Sequence, residues 1–170
     1  PDPQSLVSEV QIASGTGAFF DPPKLVAAPN GDLWVIYTRI DGADDAVEAV
    51  RKPAASSTFD APITLVDRSG VNEEAPHAAV DSAGNLRLVW VDNRDGGPKV
   101  YTATFDPDTS TLSDETEVTS STGTYARAAI ALDSADQVHL LYEENTSGNG
   151  GTVWFSHQAP VSSVDNWALY

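Results

Sequence analysis

The chain has 170 residues, of which 41% are hydrophobic, with four Trp, five Tyr and five Phe, so it holds enough apolar material for one ordinary core and is not a disordered segment. Its net charge of −16 argues against a nucleic-acid partner, whose phosphates demand a basic patch, and disfavours anionic membranes. Cysteine is absent, which excludes a disulfide framework and a thiolate metal site, and no apolar run approaches the roughly twenty residues that a membrane-spanning helix needs.

The first element, in residues 1–14, is an apolar alternation at 6–13, Leu-Val-Ser-Glu-Val-Gln-Ile-Ala, read as an isolated outer strand. Residues 15–67 form a first repeat. Asn30-Gly31-Asp32 turns into a predicted strand at 33–37, a further strand follows at 47–50, and an outer strand at 62–66 ends the unit. Residues 68–120 repeat this grammar most clearly. An apolar run at 76–80 leads through the turn 82–85 into the alternation 86–90, then through 92–98 into a β-branched and aromatic strand at 100–104 and an outer strand at 116–119. Residues 121–170 form the third repeat, with the turn 133–136 and strands at 138–142 and 153–156. Its outer strand is missing, since the chain reaches Tyr170 about where that strand should begin.

Anchored on Tyr37, Trp90 and Tyr142, the repeats are separated by 53 and 52 residues. A period near fifty with several short strands, and no helical periodicity, predicts an all-β fold of three four-stranded antiparallel propeller blades. Three blades do not close a ring, whereas propellers use about four to eight. The expectation is therefore half of a six-bladed propeller completed by two-fold homodimerisation, the strand at 6–13 pairing with 153–156 of the other copy. The alternative is an engineered or excised half of a longer six-bladed protein. A chain opening Pro1-Asp2-Pro3, without an initiator Met or a signal-peptide pattern, is expected to have been processed or excised from something longer. Abundant Ser, Thr, Asp and Gly with three Lys suggest an extracellular or cell-surface protein, and the acidity is read as a solvated surface.

The pattern Pro-x-Ala-x-x-Asp-x-x-Gly-Asn-Leu-x-Leu-x-Trp-x-Asp-x-Arg-Asp-Gly at 76–96 resembles the sialidase-like repeats of six-bladed propellers, often found with Asp boxes. The segments 56–60, 106–109 and 163–167 stand where that family carries its Asp boxes, and none matches the full motif. The resemblance implies a sialidase-type site of three arginines, a Tyr–Glu nucleophile and an Asp acid/base. Tyr125-Ala126-Arg127-Ala128 echoes the first arginine segment, while the matching places in the other repeats hold Pro22, Pro23 and Lys24, and Ala75, Pro76 and His77. A glycosidase would thus rest on Arg127, Tyr142 with Glu143 or Glu144, and Asp92. No complete triad is visible, so the leading expectation is a non-catalytic binding or assembly module for a glycan, peptide or protein.

Its candidate ligand-binding residues are Phe20, His77, Arg94, Tyr125 and Arg127, which border the rim or the channel mouth in the propeller reading. Arg94 also has a structural reading, as partner of a neighbouring carboxylate in its turn. The loops joining second to third strands are rich in carboxylates, with Asp92 and Asp95 in one and Glu143 and Glu144 in another; Asp41, Asp44 and Asp45 could offer several oxygen ligands to a hard cation such as calcium. The competing reading is ordinary hairpin vocabulary.

Overall fold

The protein's computed structural model describes residues 9–14, 19–20, 22–41, 44–119, 123–146, 150–158 and 167–169; for 19–20, 41, 146, 150 and 167–169 it describes the backbone alone. The turn carboxylates set its punctuation. Asp81 Oδ1 accepts the backbone N–H groups of Ala83 and Asn85 at 3.0 and 2.9 Å, and Asp133 Oδ1 does the same for Ala135 and Gln137 at 2.8 and 3.0 Å. The fourth residue of each turn is left-handed, with φ of +95° at Gly84 and +60° at Asp136, and Gly31 fills the same place in the first repeat at +89°. Asp106 caps its own hairpin by accepting the N–H of Asp108 at 2.8 Å. Three of the 25 acidic residues, Asp81, Asp106 and Asp133, thus serve turns.

Between these turns the chain forms strands, and the described residues contain no helix. The first sheet comprises β1 (Phe19–Phe20), β2 (Lys24–Ala27), β3 (Leu33–Asp41), β4 (Asp44–Lys52) and β5 (Ile63–Asp67). β1 and β2 share one edge of β3, separated by a break containing Pro22 and Pro23, which have no N–H to donate to a ladder. The second sheet runs β6 (Glu73–Val80), β7 (Leu86–Asp92), β8 (Lys99–Asp106) and β9 (Thr111–Glu117). The third runs β10 (Thr124–Leu132), β11 (Val138–Thr146), β12 (Gly150–Gln158) and β13 (Trp167–Leu169). All pairings are antiparallel, so each sheet is a meander.

Contrary to expectation the third sheet has an outer strand of its own, since β13 pairs with Ser156–Gln158 of β12; of the edge expected to be open at 153–156 it takes Ser156. Residues 9–14 form no strand; Ile12 and Ala13 instead pack against Val35, Tyr37 and Val50 on the outward face of the first sheet. Residues 1–8, the rest of the expected N-terminal strand, lie outside the described residues.

Alternation along each strand gives every sheet two faces, and the three sheets stack face to face. Trp34, Ile36, Val47 and Ala49 of the first sheet meet Leu86, Leu88, Trp90 and Phe105 of the second in one core cluster. The opposite face of the second sheet, with Val89, Val91 and Val100, meets Val138, Leu140 and Tyr142 of the third. Trp90 and Tyr142 therefore hold the same place in successive interfaces, as their spacing predicts. The far face of the third sheet is uncovered: Leu141, Val153 and Phe155 are exposed there, with Val153 at 71%.

Candidate ligand-binding cleft

The edge strands β2, β6 and β10 lie side by side, and their registers fix which side chains share a level. Lys24 pairs with Ile36, His77 with Val89 and Ala129 with Leu141, equivalent places in the three meanders. Glu74 pairs with Val91, and Arg127 with Glu143, one level further along. Between these levels the second sheet is irregular, and the third becomes irregular just beyond Arg127. β6 shifts register between Glu74 and His77, with Ala75 at φ +50°, and β10 shifts between Tyr125 and Arg127. A bulge re-aims neighbouring side chains, and a non-glycine residue held left-handed is a local cost that the surrounding structure must hold in place.

The result is a cleft over the three inner strands. One cavity of about 300 Å³ is lined by Lys24, Glu74, Ala75, Ala126 and Arg127 among others, and a neighbouring one of about 360 Å³ by Lys24, His77, Arg127, Tyr142 and Glu143. Arg127 Nη1 stands 3.8 Å from Glu143 Oε2 while its side chain is 80% exposed, so the guanidinium keeps donors facing solvent. Burial, and then the Lys24 ammonium, hold His77 below the usual imidazole range, which leaves it neutral at pH 7. Burial is also the first cause that raises Tyr142, followed by the nearby Tyr125 and Glu144.

Of the residues singled out in the sequence, His77 and Arg127 come together here. Tyr125 does not: it is 4% exposed and its ring meets Tyr142 edge to face at 5.7 Å, so it is a core residue and not a rim platform. Tyr125 joins Val118 in the packing between the second and third sheets, which its sequence position does not reveal. Arg94 is likewise committed elsewhere. Its guanidinium binds Asp92 and Glu115 and lies 3.8 Å from the centre of the Tyr101 ring, which realises its structural reading and leaves it no role in the cleft. Asp92 is buried, holding Trp90 Nε1 at 2.9 Å as well as Arg94, and so is remote in role from Arg127 and Tyr142. The side chain of Phe20 lies outside the described residues.

The acidic hairpin diverges. Asp44 and Asp45 are consecutive in β4, so their side chains point to opposite faces; Asp44 Oδ1 accepts the N–H of Gly70 at 2.8 Å, and Asp45 is buried. The side chain of Asp41 lies outside the described residues, and among these residues no group of three or more His, Asp or Glu is arranged to hold a metal ion. Lys24 and Glu74 line the cleft and are not among the binding candidates drawn from the sequence. Aligning the three inner strands by register places Lys24 level with His77, but that register becomes certain only once the bulges are known.

Solved structures carry the same arrangement of sheets. An ulvan lyase of polysaccharide lyase family PL25, in its complex with -[GlcA(1-4)Rha3S]-, superposes with a TM-score of 0.63 at 11% identity over 86% of this chain and 42% of its own. Polysaccharide lyase Uly1 gives 0.61 at 11% identity over 87% and 40%, and the endo-arabinase from Bacteroides thetaiotaomicron VPI-5482 gives 0.54 at 16% over 96% and 59%. The fold is β-propeller-like. The three sheets are its blades, and the cleft lies over their inner strands, the side that faces the channel in such folds. The likeness reaches the propeller-like fold and not a sialidase-type Asp-box repeat in particular. The chain spans less than half the length of either lyase. No protein-family model and no curated protein matches it.

Proposed function

We propose that this propeller-like chain is a carbohydrate-binding module whose inner-strand cleft takes an acidic saccharide. The observation that carries this reading is the convergence of Lys24, His77 and Arg127 from three blades onto one pair of adjoining cavities in a chain of net charge −16. Two of its nine Lys and Arg residues meet there, and a carboxylate or sulfate group on a sugar would find a point charge from Lys24 and a fork of donors from Arg127. Glu74 and Glu143 would accept from neighbouring sugar hydroxyls. The ulvan lyase, bound to a GlcA-containing saccharide, gives the same direction by likeness of fold. Calorimetric titration with uronate-containing and neutral oligosaccharides tests it. Binding confined to the acidic set and lost in Arg127→Ala and Lys24→Ala is the expected outcome, and equal binding of both sets would refute it.

A second reading, elimination at a uronate, is favoured by one detail: neutral His77 lines the same cavity as Lys24, Arg127 and Tyr142, so a base stands beside groups that would neutralise a carboxylate. Appearance of an ultraviolet-absorbing unsaturated product, abolished in His77→Asn, would establish it. A sialidase-type hydrolysis is less well served, since the cleft holds one arginine and Asp92 is engaged elsewhere. The same proposal includes self-association through the uncovered face of the third blade. That face corresponds by register to the Trp34, Ile36 and Ala49 face of the first blade, which the second blade covers.

A further inference from the structure

The junction between the second and third blades differs from the junction before it, and the difference is confined to particular positions. Trp34 is opposite Arg51 in the first blade; the equivalent pair is Arg87 opposite Thr104 in the second. On the covering blades, Phe105 follows the Leu88–Ala103 level of the second, and Gln158 takes its place in the third, two residues beyond Ser156. At the first junction Trp34 and Phe105 belong to one buried apolar cluster. At the second, the large apolar pair is replaced by Arg87 and Gln158, and a cavity of about 330 Å³ opens between them, lined also by Thr102, Thr104, Asp114 and Thr116.

The polar atoms of this cavity are not all satisfied by the protein. Thr104 is 9% exposed and its hydroxyl has no hydrogen-bond partner, and Arg87 Nε is buried without one. Thr102 donates its hydroxyl to the Leu88 carbonyl at 2.7 Å, so it can only accept from a ligand; Thr116 donates to the Asp114 carbonyl at 3.3 Å and is in the same state. The cavity therefore presents donors from Arg87, Thr104 and the Gln158 amide beside acceptors from Thr102, Thr116 and the Asp114 carboxylate.

From this donor and acceptor set we infer that the cavity is a second carbohydrate site, separate from the inner-strand cleft, and that its ligand is a neutral sugar residue. A sulfate offers acceptors only, and a phosphate adds at most one or two P–OH donors to its negative charge; either anion would face the Asp114 carboxylate and two acceptor-only threonines. A sugar hydroxyl donates and accepts at once, which matches a wall where the two kinds alternate. The preceding junction holds no such site, because there Trp34 and Phe105 belong to the buried apolar cluster.

The test is ligand-observed NMR and calorimetry on the full chain, using methyl glycosides of galactose, mannose, xylose and rhamnose, with inorganic phosphate and glucuronate as comparators. At least one neutral glycoside is expected to bind. Thr104→Val, which keeps the shape and removes the hydroxyl, and Arg87→Gln should each weaken it about tenfold or more. Lys24→Ala should leave that binding unchanged while abolishing any response to glucuronate, so the two sites fail separately. Failure of every neutral glycoside to bind, preference for phosphate, or binding insensitive to both Thr104→Val and Arg87→Gln would overturn the assignment.

Discussion

Glu73 carries the sharpest prediction about stability. It is fully buried at the start of β6, and neither carboxylate oxygen has a hydrogen-bond partner. Its cross-strand neighbour is Asp92, with Asp67 also near; of the two arginines closest to it, Arg94 binds Asp92 and Glu115, and Arg68 gives its Nη2 to Glu115. Burial first, and then the charges of Asp92 and Asp67, push the Glu73 carboxyl up from 4.5 to about 7. The folded state therefore favours the protonated acid. Its stabilising effect is complete below the unfolded value of 4.5 and is lost as pH rises through about 7. At 1.36 kcal/mol per unit, ionising Glu73 costs the fold about 3 kcal/mol by pH 8 or above. Glu73→Gln keeps the shape and cannot ionise, so it should match the wild type near pH 4.5 and exceed it by about 3 kcal/mol at high pH. Urea unfolding of both proteins across pH 4 to 9 measures this. A difference between them that does not change with pH, or a variant less stable at every pH, would show that Glu73 is not held neutral by its surroundings.

Three further outcomes are expected. Arg94→Met leaves the buried Asp92 carboxylate without its cation and should cost about 3 to 5 kcal/mol in urea unfolding, with part regained in the double variant carrying Asp92→Asn; a loss under about 1 kcal/mol would contradict the pairing. Because His77 lies below its ordinary value of 6.5, it gains charge only on acidification, so affinity of the inner cleft for an acidic saccharide should rise as pH falls below that range. Calorimetry against pH, with His77→Asn flattening the curve, checks that outcome. Val153→Asp, at an exposed position on the third blade, should leave the fold intact and abolish self-association measured by light scattering at micromolar protein, and a wild-type monomer under those conditions would end that proposal.

The repeat, the strand alternation and the turns are legible in the sequence because each depends on residues a few positions apart. Asp81 and Asp133 cap their own turns, and Leu86, Leu88 and Trp90 fall on one face by the period of two. His77 and Arg127 also stand out as inner-strand residues from their places in the repeat alone. What separates them in sequence is fifty residues, and only the stacking of blades brings them and Lys24 to one cavity. Position in the repeat likewise does not say which side of a sheet meets a neighbour. Tyr125 goes to the core, Ile12 and Ala13 go to the outward face of the first blade instead of to a strand edge, and Glu73 is sealed in beside Asp92. Local rules of propensity and alternation set the strands of this protein. Burial between sheets, a contact between residues far apart in the chain, decides which of its polar side chains remain free to bind.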